Sequence, residues 1–143
     1  MTAIICGIAS TQLQPDEIQV LNHPLVCGVI LFKRNFESYN QLQSLVNNIK
    51  SKFGNDFLIS VDQEGGRVTR FGLPFCQLPP VFEIGKLNQS NSELAKSFAQ
   101  AHAWLMASEL LSINIDLSFA PVLDIDNGSD VIGDRAFSTS PNE

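Results

Sequence analysis

Cysteine, positive charge and long apolar runs are all scarce in this chain. The 3 cysteines are odd in number and form no C-x-x-C pair, which argues against a disulfide framework and favours reduced thiols. Lysine and arginine number 9 against 15 acidic residues, and the net charge of −6 argues against nucleic acid or an anionic membrane as a partner. Because no apolar window approaches the roughly 20 residues that span a bilayer, we expect a soluble, cytoplasmic protein.

Histidine, the commonest metal ligand, is also scarce. The two histidines, His23 and His102, are far apart in the sequence, and neither has a partner at metal-ligand spacing. Residues 124–130 read Asp-Ile-Asp-Asn-Gly-Ser-Asp and resemble a calcium loop. The register fails, however, because Gly128 stands one position early and Arg135 stands where such a loop has glutamate. The sequence therefore predicts no metal site.

Apolar residues make up 44% of the chain, enough for a substantial core, and they fall into short runs. The runs lack strict alternation, as is typical of strands that are covered on both faces. Helical patterns separate them, which predicts a parallel sheet with crossover helices. The predicted strands are residues 3–8, 26–32, 57–61 and 115–119.

Three crossover helices are predicted between these strands. Pro15 and the acidic pair after it are typical of a short helix start. Ser38 and Gln41 have the spacing of a capping box, as do Ser90 and Glu93 further along. Apolar side chains then share one face of each longer helix. They are Leu42, Leu45, Val46 and Ile49 in the second helix, and Leu94, Phe98, Ala101 and Leu105 in the third.

The end of the third strand carries the strongest functional signal. Asp62 and Glu64 follow the apolar run directly, two glycines come next, and Arg67 and Arg70 follow. Polar groups at the end of a buried parallel strand are how α/β enzymes build their sites. A carboxylate and a guanidinium together can bind sugar hydroxyls. The alternative is an ordinary loop, with Asp62 acting as a helix cap or pairing with Arg67.

The same stretch carries a resemblance to a known family. Residues 61–71 read Val-Asp-Gln-Glu-Gly-Gly-Arg-Val-Thr-Arg-Phe and resemble the signature of glycoside hydrolase family 3, in its bacterial β-N-acetylhexosaminidase branch. Residues 23–35, 115–124 and 132–135 agree with the family in order and spacing. The resemblance implies a cytoplasmic enzyme that releases N-acetylglucosamine from cell-wall muropeptides with retention of configuration. It implies neither a metal nor an organic cofactor.

The resemblance also implies roles for individual residues. Three residues are expected to bind hydroxyls of the N-acetylglucosamine ring: Asp62, Arg70 and Arg135. Three neighbours are expected to brace them: Glu64, Arg67 and Asp134. Asp116 lies inside an apolar run, so we expect it to have a hydrogen-bonded structural role. The first strand departs from the family, which usually has an aspartate where Gly7 aligns.

The predicted elements correspond to about half of a (β/α)8 barrel, a fold of about 250 residues. The pattern alone also allows a doubly wound open sheet, but no G-x-G-x-x-G turn follows the first strand, and the resemblance favours the barrel. We expect residues 1–143 to form a single incomplete barrel domain, truncated at its C-terminus. The family's acid/base histidine lies in a later Lys-His-Phe-Pro-Gly-His-Gly loop and its nucleophilic aspartate later still. Because neither motif occurs here, no catalytic residue is expected.

Three functional hypotheses remain open. The first is the N-terminal half-barrel of a β-N-acetylhexosaminidase, which supplies part of the sugar pocket and is inactive alone. The second is a catalytically inactive module that binds N-acetylglucosamine. The third is a non-functional remnant, whose unpaired strand edges would promote aggregation or the self-association of two half-barrels.

Overall fold

The computed structural model describes residues 3–141, which form one four-stranded parallel sheet with strands in the order β1-β2-β3-β4. The strands are β1 (Ile4–Gly7), β2 (Val26–Leu31), β3 (Leu58–Val61) and β4 (Leu117–Ser118). The helices are α1 (Pro15–Leu21), α2 (Tyr39–Phe53), α3 (Phe82–Ser90) and α4 (Ser92–Ser112), and short 3-10 helices cover Lys33–Asn35 and Gly133–Arg135. All four predicted strands and their parallel pairing are confirmed. The sequential order matches a (β/α)8 barrel, since doubly wound sheets reverse their order partway.

The main core packs side chains of the strands against side chains of α2 and α4. Strands β2 and β3 approach closely at Gly28, where a Cβ atom would lie 2.5 Å from the carbonyl oxygen of Leu58. The side chains that the core buries completely include Val29, Leu31, Leu42, Val46, Ile49, Ile59 and Val61. No helix within residues 3–141 combines the length and the apolar character that crossing a membrane requires.

Helix α2 forms as the sequence predicts. The Ser38 hydroxyl accepts a hydrogen bond from the backbone N–H of Gln41 at 3.3 Å, which satisfies one of the free donors at the helix start. The predicted apolar side chains of α2 are all buried against the sheet. Pro15 begins α1, also as predicted.

The region between β3 and β4 differs from the prediction. Two helices occur there, because α3 precedes the predicted one. Helix α4 is capped by Asn91, whose side chain accepts from the N–H of Leu94 at 3.0 Å, and not by Ser90. The predicted apolar side is largely exposed, with Leu94 at 52% and Phe98 at 40%. The side chains that α4 buries are Ala95, His102, Met106 and Leu110.

An ion pair between Lys50 and Asp116 lies at the N-terminal end of the sheet. Asp116, which precedes β4, accepts hydrogen bonds from Lys50 Nζ and from the backbone N–H of Ile59, both at 2.7 Å. The Lys50 ammonium also donates to two carbonyl oxygens in the loop before β3. Asp116 therefore joins β4, β3 and α2, which agrees with the structural role that the sequence predicts for it.

Candidate functional site

The site begins where β3 ends and the chain turns back on itself. Gly65 and Val68 form an isolated antiparallel bridge. Gly65 and Gly66 have φ angles of +104° and +56°, a backbone region that glycine enters without strain. The reversal brings Arg70 back beside Asp62, at the C-terminal edge of the sheet, where barrel enzymes place their sites.

Asp62 and Arg70 form a partly exposed ion pair. Arg70 Nη2 lies 3.1 Å from Asp62 Oδ2, and the two side chains are 27% and 24% exposed. Gln63, which is buried, holds the backbone at Arg70, because its Oε1 accepts from the Arg70 backbone N–H at 2.8 Å. Within residues 3–141, Arg70 Nε is buried and has no hydrogen-bond partner. One N–H group of the guanidinium therefore has no acceptor among these residues.

Glu64 holds Arg135 in a bidentate pair. Its two oxygens accept from Arg135 Nη2 at 2.7 Å and from Nε at 2.9 Å, and its own side chain is only 7% exposed. The hydrogen bond to Glu64 is the main reason why the pKa of Arg135 is raised above its ordinary value, although burial opposes this. The nearby charges of Asp62 and Asp124 raise it further. Arg135 is thus a fixed cation next to the first pair.

Arg67 clamps the segment that carries Arg135. Its Nε donates to Asp134 Oδ1 at 3.0 Å, and its Nη2 donates to the backbone carbonyl oxygens of residues 130, 131 and 132. These contacts fix the 3-10 turn Gly133–Arg135 against the loop that follows β3. Arg67 therefore contacts the segment that carries Arg135.

Comparison with known proteins identifies the family of this chain. Residues 5–143 match the model of the glycosyl hydrolase family 3 N-terminal domain. The chain belongs to glycoside hydrolase family 3.

Curated relatives in this family carry the name beta-hexosaminidase. The protein of Hydrogenovibrio crunogenus is 50% identical over 139 residues, which cover 96% of this chain and 39% of that protein. The protein of Stenotrophomonas maltophilia strain R551-3 is 46% identical over 138 residues, covering 96% of this chain and 41% of its own length. The chain thus spans about two fifths of the length of these curated relatives.

Solved structures of the family confirm the barrel architecture. NagZ from Neisseria gonorrhoeae in complex with N-trifluoroacetyl-D-glucosamine superposes with a TM-score of 0.93 at 38% identity, over 99% of this chain and 43% of that one. A family 3 β-N-acetylglucosaminidase from Paenibacillus sp. FPU-7 gives a TM-score of 0.81 at 30% identity, over 93% of this chain and 25% of that one. The four-stranded sheet is therefore about half of a TIM-type barrel.

All the residues that the family resemblance assigned to the site lie together at this edge of the sheet. They are Asp62, Glu64, Arg67, Arg70, Asp134 and Arg135, and they form three ion pairs. The local alternative, an Asp62–Arg67 salt bridge, is wrong, since Asp62 pairs with Arg70 and Arg67 pairs with Asp134. The binding and bracing roles of the six residues stay predictions.

Two residues that support the site were not anticipated from the sequence. Gln63 holds the backbone at Arg70, as described above. His102 of α4 is buried, and its Nε2 lies 3.1 Å from the carbonyl oxygen of Pro79. A carbonyl can only accept, so Nε2 carries the proton. Pro79 in turn lies against Gly65, where a Cβ atom would come within 2.5 Å of the same carbonyl oxygen. A lone histidine in a helix gives no sequence signal for such a contact.

Proposed function

We propose that this chain contributes the N-acetylglucosamine pocket of a retaining β-N-acetylhexosaminidase that acts on muropeptide fragments in the cytoplasm. The observation that carries the proposal is the convergence of Asp62, Arg70 and Arg135 at the C-terminal edge of β3. The names of the relatives support the activity, and the N-trifluoroacetyl-D-glucosamine complex of the gonococcal protein supports the sugar. The free cysteines are consistent with a reducing compartment.

The three residues are suited to a neutral sugar with many hydroxyls. The Asp62 carboxylate accepts from hydroxyl groups, and the two guanidinium groups donate to hydroxyl or carbonyl oxygens. Glu64 pairs with the Arg135 side chain, and Arg67 pairs with the neighbouring Asp134. Because Arg135 is already ordered, little side-chain entropy is lost when the sugar binds. Because the Arg70 and Asp62 side chains are 27% and 24% exposed, part of this pair remains open to a polar ligand.

Catalysis is assigned to residues outside this chain. A retaining glycosidase needs a nucleophile and an acid/base group about 5 Å apart on either side of the scissile bond. Asp62 and Glu64 are each held by an arginine, whereas an acid/base group must be free to reach the leaving oxygen. We therefore propose that the 143-residue chain binds the sugar and does not hydrolyse it.

Titration with N-acetylglucosamine tests the sugar pocket. We expect saturable binding that Asp62→Ala abolishes, while Asp56→Ala, which removes an exposed carboxylate elsewhere, leaves the affinity unchanged. Absence of binding up to tens of millimolar would exclude the pocket. Steady turnover of a chromogenic N-acetyl-β-glucosaminide by the purified chain would instead overturn the assignment of catalysis to other residues.

A second candidate is a sugar-binding module that is catalytically inactive and self-associates. It is favoured by a cavity of about 330 Å³ between α4 and β4, which includes Met106, Leu110 and Ile115 in its lining. The exposed side chains of Leu117 and Phe119 extend this apolar surface along the β4 edge. Two half-barrels could bury these surfaces against each other. Analytical ultracentrifugation distinguishes the candidates, since a monomer at all concentrations contradicts self-association.

A further inference from the structure

Arg34 lies beside the candidate sugar pocket and is held in a fixed orientation. It follows β2 within the 3-10 helix Lys33–Asn35. Its Nε donates to the carbonyl oxygen of Ile8 at 2.8 Å, and its guanidinium carbon lies 4.5 Å from the centroid of the Phe32 ring. A hydrogen bond and a cation–π contact therefore orient the group, although the residue is exposed.

Arg34 differs from the other arginines at this edge of the sheet. Within residues 3–141, Arg67, Arg70 and Arg135 each pair with a carboxylate, and Arg34 pairs with none. Among the described residues its one hydrogen bond uses Nε, so the terminal nitrogens form a planar pair of donors without a partner there. This pair of donors matches the geometry of a carboxylate.

Gly7, the last residue of β1, has no side chain that would cover the terminal nitrogens of Arg34. A Cβ atom on Gly7 would lie 3.1 Å from Arg34 Nη2 and 3.5 Å from a ring carbon of Phe32. An aspartate at this position, as the family resemblance leads one to expect, would place a carboxylate of the chain itself beside the guanidinium. With glycine, no carboxylate within residues 3–141 pairs with the Arg34 guanidinium, which leaves it available to the carboxylate of a ligand.

We propose that Gly7, Phe32 and Arg34 form a carboxylate-binding site, and that its ligand is the carboxylate of an acidic sugar or of an acidic group attached to a sugar. The Phe32 ring connects it to the sugar pocket, because the guanidinium carbon of Arg70 lies 5.9 Å from the same ring centroid. The carboxylate site stands on its own geometry, whereas its link to a sugar rests on the proposed function.

The test is an NMR titration of the arginine Nε–Hε signals of the whole chain at constant ionic strength. The ligands are acetate, D-glucuronate and, as the neutral counterpart, D-glucose. We expect acetate and glucuronate to shift the Arg34 signal saturably, with glucuronate the tighter of the two, and glucose to leave it unchanged. Equal affinities would support the carboxylate site and overturn the acidic-sugar assignment. No saturable shift with either acid would overturn the whole proposal.

Two variants separate the site from general charge attraction. Arg34→Gln removes the reporting side chain, so binding to the two position-33 and position-34 variants is followed through the backbone amide signal of Gly7. Arg34→Gln should weaken acetate binding about tenfold, the usual effect of losing a charge-assisted hydrogen bond. Lys33→Gln removes the same charge one residue away and should change the affinity less than about twofold, as expected for a screened surface charge. Equal losses in both variants would show unspecific attraction and contradict the proposal.

Gly7→Asp retains the arginine at position 34 and its NMR signal, so it tests the site even if Arg34→Gln fails to fold. It should abolish acetate binding and raise the melting temperature, whereas Gly7→Asn, which fills the same space without charge, should not raise it. Acetate binding by Gly7→Asp at the level of the unmodified chain would overturn the proposal. N-acetylglucosamine binding, measured on the same samples, tests Asp62, Arg70 and Arg135 separately, so the two proposals can fail independently.

Discussion

The two ends of the sheet both carry an ion pair, but they differ in how completely their polar groups are used. At the N-terminal end, Lys50 donates its three N–H groups to Asn55 O, Phe57 O and Asp116 Oδ2, at 3.0, 3.0 and 2.7 Å. At the C-terminal end, Arg70 pairs with Asp62 and leaves its Nε without a partner among the described residues. A fully hydrogen-bonded polar cluster stabilises the fold more than an incompletely bonded one. The Asp62–Arg70 pair is also partly exposed, so a ligand can contact it.

The largest effect is expected at the N-terminal end, where Lys50→Met removes the cation. The variant leaves two carbonyl oxygens without this donor, while Asp116 keeps only the N–H of Ile59. The Lys50 side chain is 11% exposed and that of Asp116 is 33% exposed. We expect a loss of about 3 kcal/mol in the free energy of unfolding, because the ammonium loses three hydrogen bonds that contribute about 1 kcal/mol each. Chemical denaturation of the purified chain measures it.

Lys52→Met is the matched control for this prediction. Lys52 lies two residues further along α2 and is exposed, so its loss should change the stability by less than about 0.5 kcal/mol. Equal effects of the two variants would contradict the view that Lys50 holds the N-terminal end of the sheet together.

Only part of the fold was predictable from the sequence. Four strands and α2 were predictable, because their apolar residues recur at the expected spacing and are buried together. The buried face of α4 was not, because this helix has apolar side chains all around it. In such a helix, packing decides which side is buried. Here the packing buries His102 and exposes Trp104.

The pairing within the site was even less predictable. Glu64 and Arg135 are 71 positions apart, and Arg67 and Asp134 are 67 apart, so local spacing carries no information about either contact. The family resemblance brought these residues into one site, but it did not say which carboxylate holds which arginine. Only the turn at Gly65 explains why Asp62 lies beside Arg70.

The turn at Gly65, which belongs to the C-terminal end of the sheet, gives a second test of how the two ends differ. Gly65→Ala would place a Cβ atom 2.5 Å from Pro79 O, whereas Gly54→Ala, at a similar φ of +93°, meets nothing within 4 Å. Both variants strain the backbone, but only the first also clashes. We expect Gly65→Ala to lose about 2 kcal/mol more stability than Gly54→Ala, the usual cost of overpacking. Similar melting temperatures would show that the loop around Pro79 yields easily.

Glu64→Gln tests the hydrogen bonds between Glu64 and Arg135. The amide keeps the shape of the carboxylate but loses its charge and one acceptor, so Arg135 is held by a weaker contact. We expect a loss of about 1.5 kcal/mol in stability, together with weaker N-acetylglucosamine binding. Unchanged binding at reduced stability would mean that Glu64 supports the fold alone.

Asp62→Asn should have the smallest effect on stability and the largest on ligand binding. Its pair with Arg70 is about one quarter exposed on both sides, and such pairs contribute at most about 1 kcal/mol. The sugar, in contrast, loses a charged acceptor, so we expect its affinity to fall at least about tenfold. Denaturation and titration on the same preparation measure both. A large loss of stability with unchanged sugar binding would make Asp62 a counterpart of Asp116, and the two ends of the sheet would then serve the same structural purpose.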